Sequence, residues 1–220
     1  MPGRPPVNTQ PIQIPIDERD VALDGDLALP EPCRGVVVFA HGSGSSRHSP
    51  RNRAVAASLQ QAGFATVLMD LLSADEEAID RHTAHLRFDI ELLARRLAAA
   101  TEWLTKQSET AKLTLGYFGA STGAAAALVA AANDPRVRAV VSRGGRPDLA
   151  GSRLPEVAAP TLLIVGGADG SVIALNQQAL RAMRCVKELA IVPGATHLFE
   201  EPGALERVMT LALRWFERHL

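Results

Sequence analysis

Short apolar segments alternate with longer amphipathic segments along most of the chain. The apolar segments are typical of parallel strands covered on both faces. Residues 87–106 carry Ile90, Leu93 and Leu97 at helical spacing, which predicts a helix with one buried side. The other segments follow the same rules. Strands are predicted at residues 35–40, 65–69, 113–118, 137–142, 161–165 and 189–192, and helices at 49–62, 87–106, 122–132, 172–183 and from about 203.

The N-terminal region has a different pattern. Residues 1–9 are rich in proline and are expected to form a disordered tail. Isoleucines alternate with polar residues or proline over residues 12–16, which predicts a half-buried edge strand. Residues 21–29 are also predicted to be extended, with Asp24-Gly25 as a hairpin-turn signal. The sequence thus predicts one α/β domain over residues 10–220, with a mainly parallel twisted sheet, flanking helices and antiparallel N-terminal strands.

A glycine-flanked serine joins the predicted strand 113–118 to the alanine-rich helix that follows. The segment Gly119-Ala120-Ser121-Thr122-Gly123 matches the G-x-S-x-G pattern of a nucleophile elbow. Glycines two residues either side of Ser121 allow the close chain approach that such a turn requires. A serine that only caps the helix is the alternative interpretation. The strand before and the helix after favour Ser121 as a nucleophile.

A nucleophilic serine needs a base and an acid from other strand ends. Of the six histidines, His197 alone follows a predicted strand on the same edge of the sheet and lies after the serine. Asp169 is the first candidate for the acid because it lies in a tight turn directly after a strand. Asp148 is the alternative. Oxyanion donors are expected from the N–H groups of Thr122 and Ser43.

The chain resembles the α/β-hydrolase superfamily, and within it the dienelactone-hydrolase-like group. The order Ser121, Asp169, His197 is that of α/β-hydrolases. The resemblance implies a single hydrolase domain without a large cap. Dienelactone hydrolases use a cysteine nucleophile, so Ser121 points toward ester chemistry, and similar domains also occur beside phosphoribosyltransferase domains. The matching segments are residues 39–45, 119–123, 165–169 and 193–197.

Composition narrows the class of protein. The chain has 220 residues, is 47% hydrophobic and carries a formal net charge of -1. This charge gives no support for nucleic-acid or membrane binding. Two cysteines, Cys33 and Cys185, have no metal or disulfide spacing. Without an apolar leader or membrane-length segment, a cytoplasmic enzyme that needs no cofactor is expected.

Two other classes of function remain open at this point. Gly42-Ser43-Gly44 after a strand, with Asp70 ending the next, partly imitates a dinucleotide-binding fingerprint, but Arg47 replaces its third glycine. The second alternative class is a domain that keeps the hydrolase fold but serves as a non-catalytic interaction domain. His82 and His85 lack a third metal ligand, so a solvated loop or helix start is favoured over a metal site.

The expected substrate is a small ester or lactone. The loop after the strand at residues 137–142 is too short for a cap domain and should leave the site shallow. Arg143 begins that loop, and Arg47 and His41 lie in the loop that supplies the oxyanion donor. A guanidinium suits carboxylate or phosphate. We therefore expect these three residues to bind the substrate, with Arg143 holding an anionic group.

Overall fold

The computed structural model describes residues 7–16 and 21–220. They form eight strands, six α-helices and two 3₁₀ segments at Leu86–Phe88 and Pro147–Glu156. The strands are β1 Thr9–Ile16, β2 Val21–Ala28, β3 Val36–Ala40, β4 Ala65–Met69, β5 Leu115–Ala120, β6 Val137–Arg143, β7 Thr161–Gly166 and β8 Lys187–Val192. The helices are α1 Pro50–Gln61, α2 Ala74–Thr83, α3 Ile90–Lys106, α4 Thr122–Asn133, α5 Gly170–Ala182 and α6 Ala204–His219.

All eight strands belong to one sheet in the order β1-β2-β4-β3-β5-β6-β7-β8. The strands from β3 onward pair in parallel, whereas β1 pairs antiparallel with β2, and β2 antiparallel with β4. The predicted fold is confirmed: a mainly parallel sheet with an antiparallel N-terminal edge. Parallel pairing places the carboxyl ends of β3, β5, β6, β7 and β8 along one edge, where such sheets bind ligands.

Helices cover both faces of the sheet. One apolar core lies under α3 and α4 and includes Leu97, Tyr117 and Leu128, each fully buried. A second core lies under α1 and α6 and includes Leu59 and Phe216, also fully buried. Burial on both faces explains why β3 to β7 are nearly continuous apolar segments.

Two predictions about the N-terminal region need correction. Asp24-Gly25 is not a turn but lies inside β2, where Gly25 pairs with Ile12 on one side and Met69 on the other. A Cβ at Gly25 would lie 3.0 Å from Ile12 Cγ1, so the glycine serves close packing of the strands. Strand β1 begins at Thr9, within the expected tail, and residues 1–6 lie outside the described residues.

The segments between the central strands hold more helix than the sequence suggested. The polar segment at residues 75–82 lies within helix α2, whose N-terminus has a capping box between Ser73 and Glu76. The loop between β6 and β7 contains the 3₁₀ segment Pro147–Glu156. That loop remains short, as predicted, and the described residues place no cap domain there.

Candidate active site

Ser121 lies in a strained turn between β5 and α4. Its backbone angles are φ 51° and ψ −121°, in the left-handed half of φ space that serine rarely adopts. The flanking glycines are required: a Cβ at Gly119 would lie 2.4 Å from Ala124 Cα, and one at Gly123 would lie 2.3 Å from the His41 carbonyl oxygen. The Ser121 side chain makes no capping hydrogen bond to α4. The capping interpretation therefore does not explain this serine.

His197 and Asp169 meet at the same edge of the sheet. His197 Nδ1 and Asp169 Oδ2 lie 2.8 Å apart, and the two side chains are 39% and 14% exposed. The loops that carry them pack closely, because a Cβ at Gly166 would lie 2.3 Å from the Ala195 carbonyl oxygen. A carboxylate only accepts hydrogen bonds, so it favours the tautomer with the proton on Nδ1. The Nε2 atom of His197 is then free to accept a proton.

The start of the loop after β6 links the serine to the histidine. The Ser121 N–H donates to the Arg143 carbonyl oxygen at 3.3 Å. The next residue, Gly144, has φ 52°, and a Cβ there would lie 3.5 Å from His197 Cε1. Within residues 7–16 and 21–220, no direct hydrogen bond joins the Ser121 hydroxyl to the His197 ring. The two residues are thus brought to the same edge of the sheet without a hydrogen bond between their side chains.

Asp148, the alternative acid, is occupied elsewhere. Its two carboxylate oxygens accept from Arg146 Nε at 2.9 Å and from Arg146 Nη2 at 2.8 Å. This is the bidentate geometry that guanidinium and carboxylate favour. The contact with His197 is made by Asp169.

The predicted oxyanion donors lie together, although one of them is engaged. The Ser43 N–H donates to Thr122 Oγ1 at 2.9 Å. This bond ties the loop after β3 to the first residue of α4. A Cβ at Gly42 would lie 3.0 Å from Ser121 Cβ, so this loop also passes close to the serine. For Ser43 to bind a substrate oxygen, the Thr122 hydroxyl has to share or release that N–H.

His41 is not available to substrate, contrary to expectation. The Leu71 N–H donates to His41 Nε2 at 3.1 Å, so Nδ1 carries the proton and donates to the Gly42 carbonyl oxygen at 2.9 Å. Burial lowers the pKa of His41 below its usual range, despite the opposing Gly42 bond and nearby carboxylates. Both ring nitrogens therefore serve the protein, and the ring joins the loop after β3 to the end of β4.

Arg47 also differs from the prediction. Its guanidinium hydrogen-bonds Asp70, and its backbone N–H donates to Asp70 Oδ1 at 2.7 Å. Asp24 and Asp26 of β2 lie 3.6 and 3.9 Å from it. Because three carboxylates already surround Arg47, it has little remaining capacity to hold a substrate anion.

Arg143 has the opposite environment. It is only 7% exposed, and its Nε and Nη1 atoms are buried without a hydrogen-bond partner. Burial lowers the pKa of Arg143 to about 10, and the charge of Arg51 contributes in the same direction. The side chain stays protonated at neutral pH, because that pKa is still well above 7.

Two residues of the loop after β8 were missed by the sequence analysis. Phe199 has φ 56°, unusual for an aromatic residue, and its ring centroid lies 5.9 Å from Arg143 Cζ. Glu201 Oε1 accepts the Thr196 N–H at 3.0 Å and so anchors the residue before His197. No local pattern marks either role, since both depend on how the loop folds back.

The other classes of function find no matching geometry. The segment Gly42–Gly44 does not open a helix, because α1 begins at Pro50, and Asp70 is used by Arg47. Within the described ranges, no three His, Cys, Asp or Glu side chains cluster as metal ligands. In the same ranges no helix has the length and apolar character needed to cross a membrane.

The largest cleft found lies beside the serine rather than over it. It has a volume of about 650 Å³ and lies between the loop after β3 and α2. His41, Arg47 and Asp70 line it, whereas Ser121 and His197 do not.

Comparisons with known proteins agree with the fold. A family model described as the dienelactone hydrolase family matches residues 23–219. A crystal structure of dienelactone hydrolase from Anabaena variabilis ATCC 29413 is 59% identical, with a TM-score of 0.95 over 97% of this chain and 99% of that one. Est1E from Butyrivibrio proteoclasticus is 15% identical, with a TM-score of 0.78 over 94% of this chain and 98% of that one, and shows the fold alone.

A curated relative is longer than this chain. A Mycobacterium tuberculosis H37Rv protein named "Putative phosphoribosyl transferase" is 61% identical over 218 residues, which is 98% of this chain and 48% of that protein. The chain thus spans about half the length of the curated relatives it matches first.

Proposed function

The chain belongs to the dienelactone hydrolase family and is a hydrolase of the α/β type, and on that premise we propose that it cleaves small esters or lactones through an acyl-enzyme on Ser121. The observation that carries this proposal is the 2.8 Å hydrogen bond between His197 Nδ1 and Asp169 Oδ2 beside a serine in a strained turn. A serine hydroxyl is a weak nucleophile without such a base.

The proposed reaction has two steps. His197 Nε2 takes the proton of the Ser121 hydroxyl as its oxygen attacks the substrate carbonyl carbon, and the imidazolium then protonates the departing alkoxide. Water repeats the sequence on the acyl-enzyme, releases the carboxylic acid and restores the serine. Asp169 holds the imidazole in the reactive tautomer and stabilises its charged form.

The negative charge on the tetrahedral oxygen needs donors fixed in advance. We assign this role to the Thr122 N–H at the start of α4, where the helix dipole also favours negative charge. The Ser43 N–H is the second donor, after the Thr122 hydroxyl yields it.

The short connection between β6 and β7 favours small substrates. Among the described residues, this connection has only a short 3₁₀ segment in place of a cap. We therefore expect substrate binding to depend on a few polar contacts at the strand ends. This supports a compact ester or lactone over a long acyl chain.

Fluorophosphonate labelling tests the nucleophile. The control variant is Ser108→Ala, which changes an exposed serine between α3 and β5. Wild-type protein and this control should both be labelled and should hydrolyse 4-nitrophenyl acetate. Ser121→Ala should lose labelling and about 10⁴-fold or more of its turnover. Labelling that persists in Ser121→Ala would refute the nucleophile. A wild type that neither labels nor turns over esters would favour a non-catalytic interaction domain.

A further inference from the structure

The loop after β6 holds the backbone of Ser121 from two sides. The Ser121 N–H donates to the Arg143 carbonyl oxygen at 3.3 Å, and the Ser121 carbonyl oxygen accepts the Arg146 N–H at 3.1 Å. Ser121 has a φ of 51°, a conformation that persists in serine only where the surrounding structure enforces it. The direction of the Ser121 side chain therefore depends on where this loop lies.

Gly145 lies between these two contacts, and one side chain fixes its carbonyl group. The Gly145 carbonyl oxygen accepts from Asn176 Nδ2 at 3.0 Å, and among residues 7–16 and 21–220 no other group donates to it. Gly145 is buried, and a Cβ there would lie 2.7 Å from Ala124 Cβ, so the loop packs directly against α4. Without the Asn176 donor this buried carbonyl would be unpaired, and the loop would have to shift to reach water.

Asn176 is a fully buried polar side chain on α5, with 0% of its surface exposed. Its Nδ2 atom also donates to the Val172 carbonyl oxygen at 2.8 Å, and only the NH₂ end of an asparagine can donate to two carbonyls. The Oδ1 atom is buried without a partner among the described residues. An apolar side chain of the same size would fill the space without burying an unpaired oxygen, so packing alone does not explain an asparagine here.

Helix α5 carries both Asn176 and the proposed acid. Asp169 is the N-cap residue of α5, and its carbonyl oxygen accepts the Ile173 N–H at 2.9 Å in the first turn. Asn176 comes seven residues after Asp169, which is nearly two full turns, so both lie on the same side of the helix. Asp169 in turn contacts His197 Nδ1 at 2.8 Å. One helix therefore joins the base, through its acid, to the loop that holds the nucleophile.

We infer that Asn176 is a positioning residue for Ser121, because through Gly145 it fixes the loop that sets the distance from the nucleophile to the base. The inference rests on the proposed hydrolase function and adds a residue that touches neither the substrate nor the reacting atoms. Within residues 7–16 and 21–220, no hydrogen bond joins the Ser121 hydroxyl to the His197 ring. Their separation is then set by the surrounding backbone, and proton transfer requires the two groups within about 3 Å of each other.

Two substitutions at Asn176 test this role. Asn176→Leu keeps the size of the side chain and removes both hydrogen bonds. Asn176→Thr is smaller, and its hydroxyl should bond the Val172 carbonyl one turn earlier in the helix, so that only the contact with Gly145 is lost. In both variants we expect the rate constant for fluorophosphonate labelling and the kcat on 4-nitrophenyl acetate to fall about 10- to 100-fold, the effect of displacing a reacting group by about 1 Å.

The pH dependence of labelling separates a displaced nucleophile from a damaged base. If only Ser121 moves, the plateau rate should fall while the midpoint of the pH profile stays at its wild-type value, because the contact between Asp169 and His197 is intact. A shifted midpoint with an unchanged plateau would mean that Asn176 acts on the acid and the base, and would overturn the inference.

Thr110→Val is the matched control. Thr110 is 2% exposed and its Oγ1 donates to the Leu104 carbonyl oxygen at 2.7 Å, so this variant also removes a buried bond from a side chain to a backbone carbonyl. Thr110 precedes β5 and lies toward the amino end of that strand, whereas Ser121 follows its carboxyl end. Its labelling rate should match the wild type. Wild-type rates in both Asn176 variants, or an equal fall in Thr110→Val, would overturn the inference.

Amide hydrogen exchange, followed by NMR, tests the role of Asn176 without relying on activity. The Ser121 and Arg146 N–H groups both bond across the held loop, so their exchange should quicken about tenfold or more in the two Asn176 variants and stay unchanged in Thr110→Val. Unchanged exchange in the Asn176 variants would overturn the inference even if the hydrolase proposal stands. A wild type that neither labels nor turns over esters would reject the hydrolase proposal, and the exchange rates would still decide whether Asn176 fixes Ser121.

Discussion

The loops after β3 and after β6 leave the same edge of the sheet and use their charged residues in opposite ways. After β3, both nitrogens of His41 are hydrogen-bonded within the protein, and Arg47 is surrounded by three aspartates. After β6, Arg143 is buried, and no carboxylate of residues 7–16 and 21–220 forms an ion pair with it. The charge of Arg47 is thus paired within the protein, whereas that of Arg143 is unpaired among the described residues.

This difference separates residues that hold the site together from residues that face a ligand. A charge that is paired within the protein lowers the free energy of the folded state. Binding or loss of a ligand then changes its energy little. An unpaired buried charge raises that free energy and persists only where another gain, such as ligand binding, offsets it. Each loop should therefore respond differently when its charges are removed.

The largest effect is expected where Asp169, the proposed acid of the triad, is compared with Asp148, which is paired with Arg146. Asp169→Asn should lower kcat by about 10⁴-fold, because an amide no longer holds the His197 tautomer that accepts the serine proton. Asp148→Asn should lower kcat less than about threefold, since Asp148 contacts Arg146 and not the histidine. Steady-state kinetics on 4-nitrophenyl acetate measures both.

Circular dichroism is the accompanying control, because it shows that both variants remain folded. A severe loss in Asp148→Asn with a mild one in Asp169→Asn would mean that the acid comes from the loop after β6. The comparison between the two loops would then fail, since that loop would contain a residue of the triad.

The two arginines should differ in stability. Arg47→Met leaves Asp24, Asp26 and Asp70 without their shared cation, and we expect the free energy of unfolding to fall by about 1–3 kcal/mol. Arg143→Met removes an unpaired buried charge in favour of a side chain of similar length. The free energy of unfolding should stay within about 1 kcal/mol of the wild type or rise. Urea unfolding of the unliganded proteins gives both values.

Substrate selectivity should separate the two arginines in the opposite sense. If Arg143 holds an anionic group as expected, a preference for an anionic ester over its neutral methyl ester should survive in Arg47→Met and disappear in Arg143→Met. If Arg143→Met proved the more destabilised of the two, the guanidinium would be a structural element of the β6 end. The contrast between the loops would then have no functional meaning.

Much of this arrangement follows from local sequence. The apolar segments that become β3 to β7 are buried on both faces for nearly all of their length, and a polar or glycine residue marks where each of them ends. Ser121 was identified by its flanking glycines, and His197 and Asp169 by their positions just after strands. These features need only a few neighbouring residues, and the hydrogen bond between the last two agrees with them.

What the sequence did not reveal depends on distant partners. Arg47 and Arg143 both follow strands and look alike, but the carboxylates around Arg47 come from β2 and from the end of β4. Only the register of the sheet brings them there. Helix α2 was missed because its residues are mostly polar, although its capping box was visible at Ser73 and Glu76.

The smallest expected effect concerns His41 of the loop after β3, whose two ring nitrogens both make hydrogen bonds within the protein. Burial lowers its pKa in the folded protein, and the nearby carboxylates of Asp70 and Glu77 only partly oppose this. The unfolded chain, with a histidine pKa of about 6.5, then binds more protons below that pH than the folded protein does. The contribution of neutral His41 to the free energy of unfolding is fully present above about pH 6.5. It is lost as the pH falls toward the lowered pKa of the folded protein.

The measurement is the free energy of unfolding at pH 7 and pH 5 in the wild type, in His41→Gln and in His48→Gln. Glutamine can still accept the Leu71 N–H but cannot titrate, so His41→Gln should lose less stability than the wild type between the two pH values. His48→Gln removes an exposed histidine from the same loop and should match the wild-type loss. An identical loss in all three proteins would mean that His41 takes up its proton as readily in the folded protein as in the unfolded chain, so the Leu71 bond would not hold the ring neutral.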